Sequence, residues 1–308
     1  MSGSQARGRG DDAQGRGHRD GAQARGHRDG AQAWGFTDDR GTELGAALVP
    51  LRVVAYVRAG AALLDLGVAP VAVYGSGHDG EALDPAKAGG LGAAGVPYLG
   101  PGRALDEGVL RELRPDLVVD VTYDGKSPYA LDEAVAGRLG IPLAALSVGN
   151  ELTLPAILDR FAELAAALGA EPVRAASDTE LAAAEAALRD AAARPGPAVL
   201  ALSGAGPEQV HLARPGAWPE LAHLAGLGVR LLDPGPGPGA NWLTGDWGRA
   251  AELRPGLVLF DEREHATPPF GLPSGVSLTP WNPETPPSPA AYARFFRLLA
   301  QALTASPA

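Results

Sequence analysis

A thirteen-residue frame of this chain occurs twice. Residues 106–118 read DEGVLRELRPDLV and residues 246–258 read DWGRAAELRPGLV, an ungapped frame D-x-G-x-x-x-E-L-R-P-x-L-V with eight identities. Each copy reads as a helix that stops before Pro, followed by an apolar strand. A looser echo pairs Leu63–Val68 (LLDLGV) with Leu224–Val229 (LAGLGV). Segments rich in Ala, Arg and Leu resemble one another by composition alone. A match that includes Asp, Gly, Glu, Arg and Pro goes beyond composition. The repetition restricts the fold to two α/β lobes of similar topology, with the helical stretch Thr153–Leu168 between them.

The rest of the pattern agrees. Arg52–Tyr56, Val71–Tyr74, Leu117–Val121 and Pro142–Leu146 are short apolar strand runs, separated by helical segments at Ala59–Leu66, Asp106–Leu113 and Leu131–Leu139. Continuous apolar strands in a β-α-β rhythm predict a parallel sheet covered on both faces. Thr153 is a predicted N-cap with Pro155 in the first turn, and Ser177-x-x-Glu180 reads as a capping box opening a helix over 177–194. Alternation then resumes with strands at Ala198–Leu202, Val229–Leu232 and Leu257–Phe260, helices at Trp218–Leu227 and Asp246–Leu253, and a closing amphipathic helix at Tyr292–Leu303.

Composition narrows the function classes. With Lys+Arg 26 against Asp+Glu 36 the chain carries −10, which argues against nucleic acid or an anionic membrane as main partner. It has no Cys, which excludes disulfides, thiolate metal sites, Cys nucleophiles and a lipidated Cys. Residues 16–24 (RGHRDGAQA) are repeated letter for letter at 25–33, and so Gly-, Arg- and Asp-rich a segment has little to bury. Residues 1–35 are therefore expected to be a disordered tail, with His18 and His27 read as part of a slipped repeat rather than as metal ligands. No apolar h-region precedes Trp34, so the sequence as written shows no secretory signal. The expected organisation is the tail, a first lobe over 36–150, a connecting helix over 151–171 and a second lobe over 172–308.

In open α/β sheets ligands sit beyond the C-terminal ends of the strands. Those positions hold Arg58, Tyr74, Ser76, His78, Thr122, Tyr123, Asp124, Lys126 and Tyr129 in the first half. In the second they hold Ser203, His211, Asn241, Trp242, Asp261, Glu262, Arg263, Glu264 and His265, with Trp281 beyond. Rings and guanidinium groups at one edge suit a large, partly flat, oxygen-rich ligand. Each residue also has a plainer role open to it: Trp281 as a packing plug beside Pro, Arg58 as a helix cap or surface partner of Asp65. No P-loop, no G-x-S-x-G elbow, no H-E-x-x-H and no nucleophile–base pair occurs. Two other readings stay open. His78, His211 and His265 with Glu264 or Asp124 could bind zinc or manganese directly. Asp261, Glu262, Glu264 and His265 could serve as an acid–base cluster of an enzyme acting on the same guest.

The chain resembles the iron–siderophore, cobalamin and haem substrate-binding proteins of ABC importers, the class III periplasmic-binding-protein type, across most of 36–303. FTDDRG (36–41) is similar to that family's opening hairpin, RVVAY with AALLDLGVAPVAVYG (61–75) to its first β-α-β unit, and ELRPDLVVD (112–120) to its "LkPDLIv" segment. ILDRFAELAAALGA (157–170) resembles the connecting helix, and LVLFDER (257–263) and LTPW (278–281) resemble actinobacterial siderophore-branch members. The resemblance implies two Rossmann-like lobes joined by a single long helix, no catalysis, no covalent cofactor, a monomer, and a ferric siderophore held between the lobes. It implies Arg58, Lys126 and Arg263 offsetting the chelate's charge, Tyr123 and Trp242 on its faces, and Tyr74 and Trp281 as second choices. It also implies an ABC permease as partner and a place in the cell envelope. The sequence departs from the family there: it has no signal and no lipid-anchored Cys. The two docking Glu are replaced by Gly108 and Gly248, with Asp106, Glu107 and Asp246 the nearest acids and Trp247 beside them.

Overall fold

A computed structural model describes residues 33–171 and 174–305. Residues 1–32 of the expected tail, with His18 and His27, lie outside the described residues; Trp34 and Gly35, counted in that tail, instead open strand β1, because Trp34 is buried. The order of elements is β1 (Trp34–Thr37), β2 (Glu43–Ala46), β3 (Val53–Tyr56), α1 (Val57–Asp65), β4 (Ala72–Gly75), α2 (Pro85–Ala88), β5 (Tyr98–Pro101), α3 (Glu107–Leu113), β6 (Leu117–Thr122), α4 (Glu133–Leu139), β7 (Leu143–Ser147) and α5 (Leu154–Ala167). There follow α6 (Arg174–Ala192), β8 (Val199–Gly204), β9 (Val210–Ala213), α7 (Pro219–Gly226), β10 (Trp242–Gly245), α8 (Trp247–Glu252), β11 (Leu257–Asp261), β12 (Ser277–Trp281) and α9 (Pro289–Ala305).

Two five-stranded sheets form, from residues 53–147 and 199–281, in the orders β5-β4-β3-β6-β7 and β10-β9-β8-β11-β12. The first is parallel throughout. In the second β8, β11 and β12 run parallel, but β9 and β10 are antiparallel additions at the edge. The expected strand at Val229–Leu232 reduces to a single bridge, Val199 to Leu231. The chain leaves that edge at once into Asp233 and the GPGPG segment, where proline supplies no ladder donor. Helix α6 begins at Arg174, so Ser177 lies inside it and does not cap it.

The two copies of the repeat occupy equivalent places in separate sheets. Val118 in β6 pairs with Val54 and Leu143, and Val258 in β11 pairs with Leu200 and Leu278, each copy supplying an inner strand. The repeated letters encode one local device. Asp106 accepts from the amide of Gly108 and Asp246 from that of Arg249, capping α3 and α8. Arg114 and Arg254 then stop the helices in left-handed conformation, with φ of 45° and 50°. They are the only non-glycine residues with positive φ among the described residues. Pro115 and Pro255 follow, and the strand begins. Asp106 and Asp246, the acids nearest Gly108 and Gly248, thus serve as caps, and Glu107 pairs with Arg111 and Arg138.

Helix α5 is capped by Thr153, whose hydroxyl accepts from the Ala156 amide. It is apolar on two faces: Ile157, Phe161, Leu164 and Ala165 enter the core of the first sheet, and Leu154 and Leu158 that of the second. One helix therefore belongs to both cores, which fixes the lobes to each other. The hairpin β1–β2 is anchored to it by Trp34, whose indole N–H donates to the Ala167 carbonyl at 2.9 Å.

Candidate functional site

Both sheets reverse their strand order beside their first strand, between β3 and β6 and between β8 and β11. A cleft of about 670 Å³ opens beyond the C-terminal ends of these strands. His78, Tyr123 and Tyr129 contribute from the first half. Ser203, His211, Trp218, Asn241, Trp242, Thr244, Arg263, His265 and Glu284 contribute from the second.

Each lobe offers an aromatic wall. Tyr123 and Tyr129 meet edge to face at 4.9 Å, and Tyr56 backs Tyr129 at 5.7 Å. Opposite, Trp218 and Trp242 meet edge to face at 4.8 Å, with Trp281 behind both at 5.8 and 5.9 Å. These geometries are the ones ring quadrupoles favour. The Tyr wall is held by Asp120 on β6. This buried carboxylate accepts from the amides of Ala130 and Leu131 and from the Tyr74 hydroxyl, tying the 123–131 loop back onto its own strand. Burial raises its pKa to about 6 despite those donors. The Trp wall is steadied by Arg214, whose guanidinium donates to the carbonyls of Gly235, Gly237 and Gly239 and so folds the GPGPG loop beside Asn241. Gly204 at the floor admits the segment after His265: a Cβ there would stand 2.2 Å from the Thr267 carbonyl oxygen.

A buried charge network joins the lobes under the cleft. Glu284 is its hub. One oxygen meets Arg263 at 2.6 Å; the other meets Lys87 at 3.0 Å and accepts a hydrogen bond from the Tyr56 hydroxyl. Lys87, completely buried, also pairs with Asp79 at 2.7 Å. Arg263 makes a two-pronged contact to Asp261, which in turn accepts from the Ser203 hydroxyl. Burial would push the Glu284 carboxyl up; Lys87 and Arg263, with Tyr56 and Arg58, overcome that and hold it at about 2. Glu220, in the first turn of α7, is buried with less compensation, and burial lifts it to about 7 against the pull of Arg58.

The seven residues singled out from sequence fall into three groups. Tyr123, Trp242 and Arg263 line the cleft. Arg58, Tyr74 and Trp281 stand behind it. Arg58 donates to the Thr285 carbonyl and the Tyr123 hydroxyl, Tyr74 to Asp120, and Trp281 is enclosed by its fellow indoles. Asp65, the expected surface partner of Arg58, instead accepts from Ser288 and pairs with Arg294. Lys126 is exposed and does not line the cleft. Sequence reasoning missed Tyr56, Lys87, Glu284 and Trp218. A fully buried lysine has no sequence signal, since only its distant partners make burial tolerable.

The two alternative constellations come apart. His78, His211 and His265 line the cleft, and the His78 and His265 rings face one another at 6.1 Å. Among the described residues, however, no group of three or more His, Asp or Glu is placed to hold a metal ion. Of the acid–base candidates, Asp261 is locked to Arg263, and Glu262 and Glu264 line a different cavity with Asp84 and Arg294, leaving His265 in the cleft without them.

Among solved structures, the ferric-siderophore receptor protein DesE of Streptomyces coelicolor superposes with a TM-score of 0.78 at 26% identity, covering 89% of this chain and 99% of its own. The chain has the class III periplasmic-binding-protein fold. A siderophore-binding FhuD of Vibrio cholerae, bound to Fe3+–Desferal, shares the fold with a TM-score of 0.56 at 18% identity, covering 83% of this chain and 99% of its own. So does a periplasmic heme-binding protein of Pseudomonas aeruginosa, with a TM-score of 0.60 at 19% identity over 84% and 94%. No family profile and no curated relative matches the sequence. No helix among the described residues is long and apolar enough to cross a membrane.

Proposed function

We propose that this class III protein binds a ferric siderophore in the cleft between its lobes and serves as the solute-binding component of an iron-uptake system, handing the chelate to an ABC permease. The observation that carries this reading is the pair of facing aromatic walls, Tyr123–Tyr129 and Trp218–Trp242, about a cleft of some 670 Å³ in a fold shared along its length with a ferric-siderophore receptor. Rings that contact the faces of a bulky chelate, with a few polar groups between them, make a binding site. The acid–base candidates are locked or turned elsewhere, so the site holds its guest and does not transform it. The reading requires quenching of Trp242 and Trp218 fluorescence on titration with a panel of ferric siderophores, saturating at one chelate per chain. A panel that leaves the fluorescence and the unfolding temperature unchanged refutes it.

A further inference from the structure

The cleft wall is electrically balanced. Its fixed charges, among the described residues, are Arg263 and Glu284, and they pair with each other at 2.6 Å. The cations just beneath are spent as well. Lys87 is divided between Asp79 and Glu284, and Arg58 between the Thr285 carbonyl and the Tyr123 hydroxyl. Arg263 has two of its donors on Asp261. Lys87 and Arg263 thus pair with three carboxylates, Asp79, Asp261 and Glu284; Arg58, buried with its donors on neutral oxygens and Glu220 and Glu284 nearby, does not line the cleft, and Lys126 stands outside. His211 and His265 do not supply the missing charge at neutral pH: burial lowers the pKa of His211, and burial with the neighbouring Arg263 lowers that of His265. What remains is uncharged hydroxyls, the Asn241 amide, small residues and aromatic rings, and ring faces attract cations and repel anions. An anion entering would lose its water without gaining an unspent counter-charge.

We infer that the cleft is built for a ferric chelate carrying no net negative charge, a tris-hydroxamate complex, and discriminates against a tris-catecholate. Three monoanionic hydroxamates cancel the ferric charge, and a free amine on the ligand backbone makes the complex a cation. Three catecholate dianions leave a trianion. This rests on the proposed siderophore-binding function and names the class of chelate that the same site takes. The acidic chain, at −10, adds a long-range field of the same preference.

The test titrates the full chain, by Trp fluorescence, with the cationic complex ferrioxamine B, a neutral cyclic ferric tris-hydroxamate, the trianion ferric enterobactin, and hemin as a dianionic flat ligand. Both hydroxamate complexes are expected to bind at least ~100-fold tighter than the trianion and than hemin. Thr244→Lys, which places an unpaired ammonium at an exposed position of the cleft wall, should shrink the ratio of ferrioxamine B to enterobactin affinity by about tenfold. Equal or tighter binding of either anion, or an unchanged ratio in Thr244→Lys, overturns the charge assignment while leaving chelate binding in place. No binding by any of the four overturns it together with the proposed function.

Discussion

Replacing Glu284 by Gln tests the network that joins the lobes. The substitution keeps the side-chain shape and removes one buried negative charge shared by Lys87, Arg263 and Tyr56. Neither cation is orphaned, because Lys87 keeps Asp79 and Arg263 keeps Asp261. The cost should therefore fall short of the upper range for a broken buried pair. The environment holds the carboxyl at about 2 against an ordinary 4.5, and at about 1.4 kcal/mol per unit this is on the order of 3 kcal/mol in favour of the ionised form. For a domain of this size that corresponds to a fall of roughly 6–12 °C in Tm. The sign with pH follows from the direction of the shift. A depressed carboxyl stabilises the fold fully above its unfolded value of 4.5, and the contribution disappears as pH falls toward 2. The difference between the parent and Glu284→Gln, measured by urea unfolding, should be largest at pH 7 and roughly halved by pH 3. A cost below about 1 kcal/mol at pH 7, or one that stays constant down to pH 3, would refute the assignment of Glu284 as the hub.

Three further outcomes are expected. Trp242→Ala should weaken chelate binding by about 1–3 kcal/mol, because the ring faces the cleft with Trp218 and Trp281 behind it; unchanged quenching of the remaining indoles at the parent's Kd would remove it from the site. Arg114→Gly and Arg254→Gly should each raise stability by roughly 0.5–1 kcal/mol, since both side chains are exposed and only glycine occupies left-handed φ without strain; a lower Tm in both would show that the arginines do more than end their helices. Glu220→Gln should remove a decline in stability between pH 4.5 and about 7, where the folded protein keeps a proton that the unfolded chain has released. Parallel stability–pH curves for parent and variant over that interval would contradict the buried, proton-holding role.

Much of the fold was legible in the sequence because it is written in short-range physics. The repeated frame names its own N-cap, helix and left-handed stop within thirteen residues, and both copies fold to the same device. The four apolar runs of the first half became β3, β4, β6 and β7, and Thr153 caps the helix that enters both cores. Misreadings arose where a neighbour decides. The expected strand at 229–232 competes with a hairpin edge that β9 supplies, and the capping box at Ser177 is overridden by a helix that starts earlier. At the site, Tyr123 and Arg263 were found by their place after strands, the rule that fold topology imposes on any such sheet, whereas Trp242, expected after a strand at 229–232, opens β10 instead.

Sequence alone determined the two halves, the helix between them and the edge on which a guest would sit. It could not determine which cations were available to that guest. Tyr56 and Glu284 are 228 residues apart, and Arg58 and Thr285 227, so their union exists only once both sheets stand around the shared helix. The charge of an arginine is fixed by its chemistry; whether that charge is spent is fixed by what folding places beside it, because only desolvation makes pairing energetically decisive.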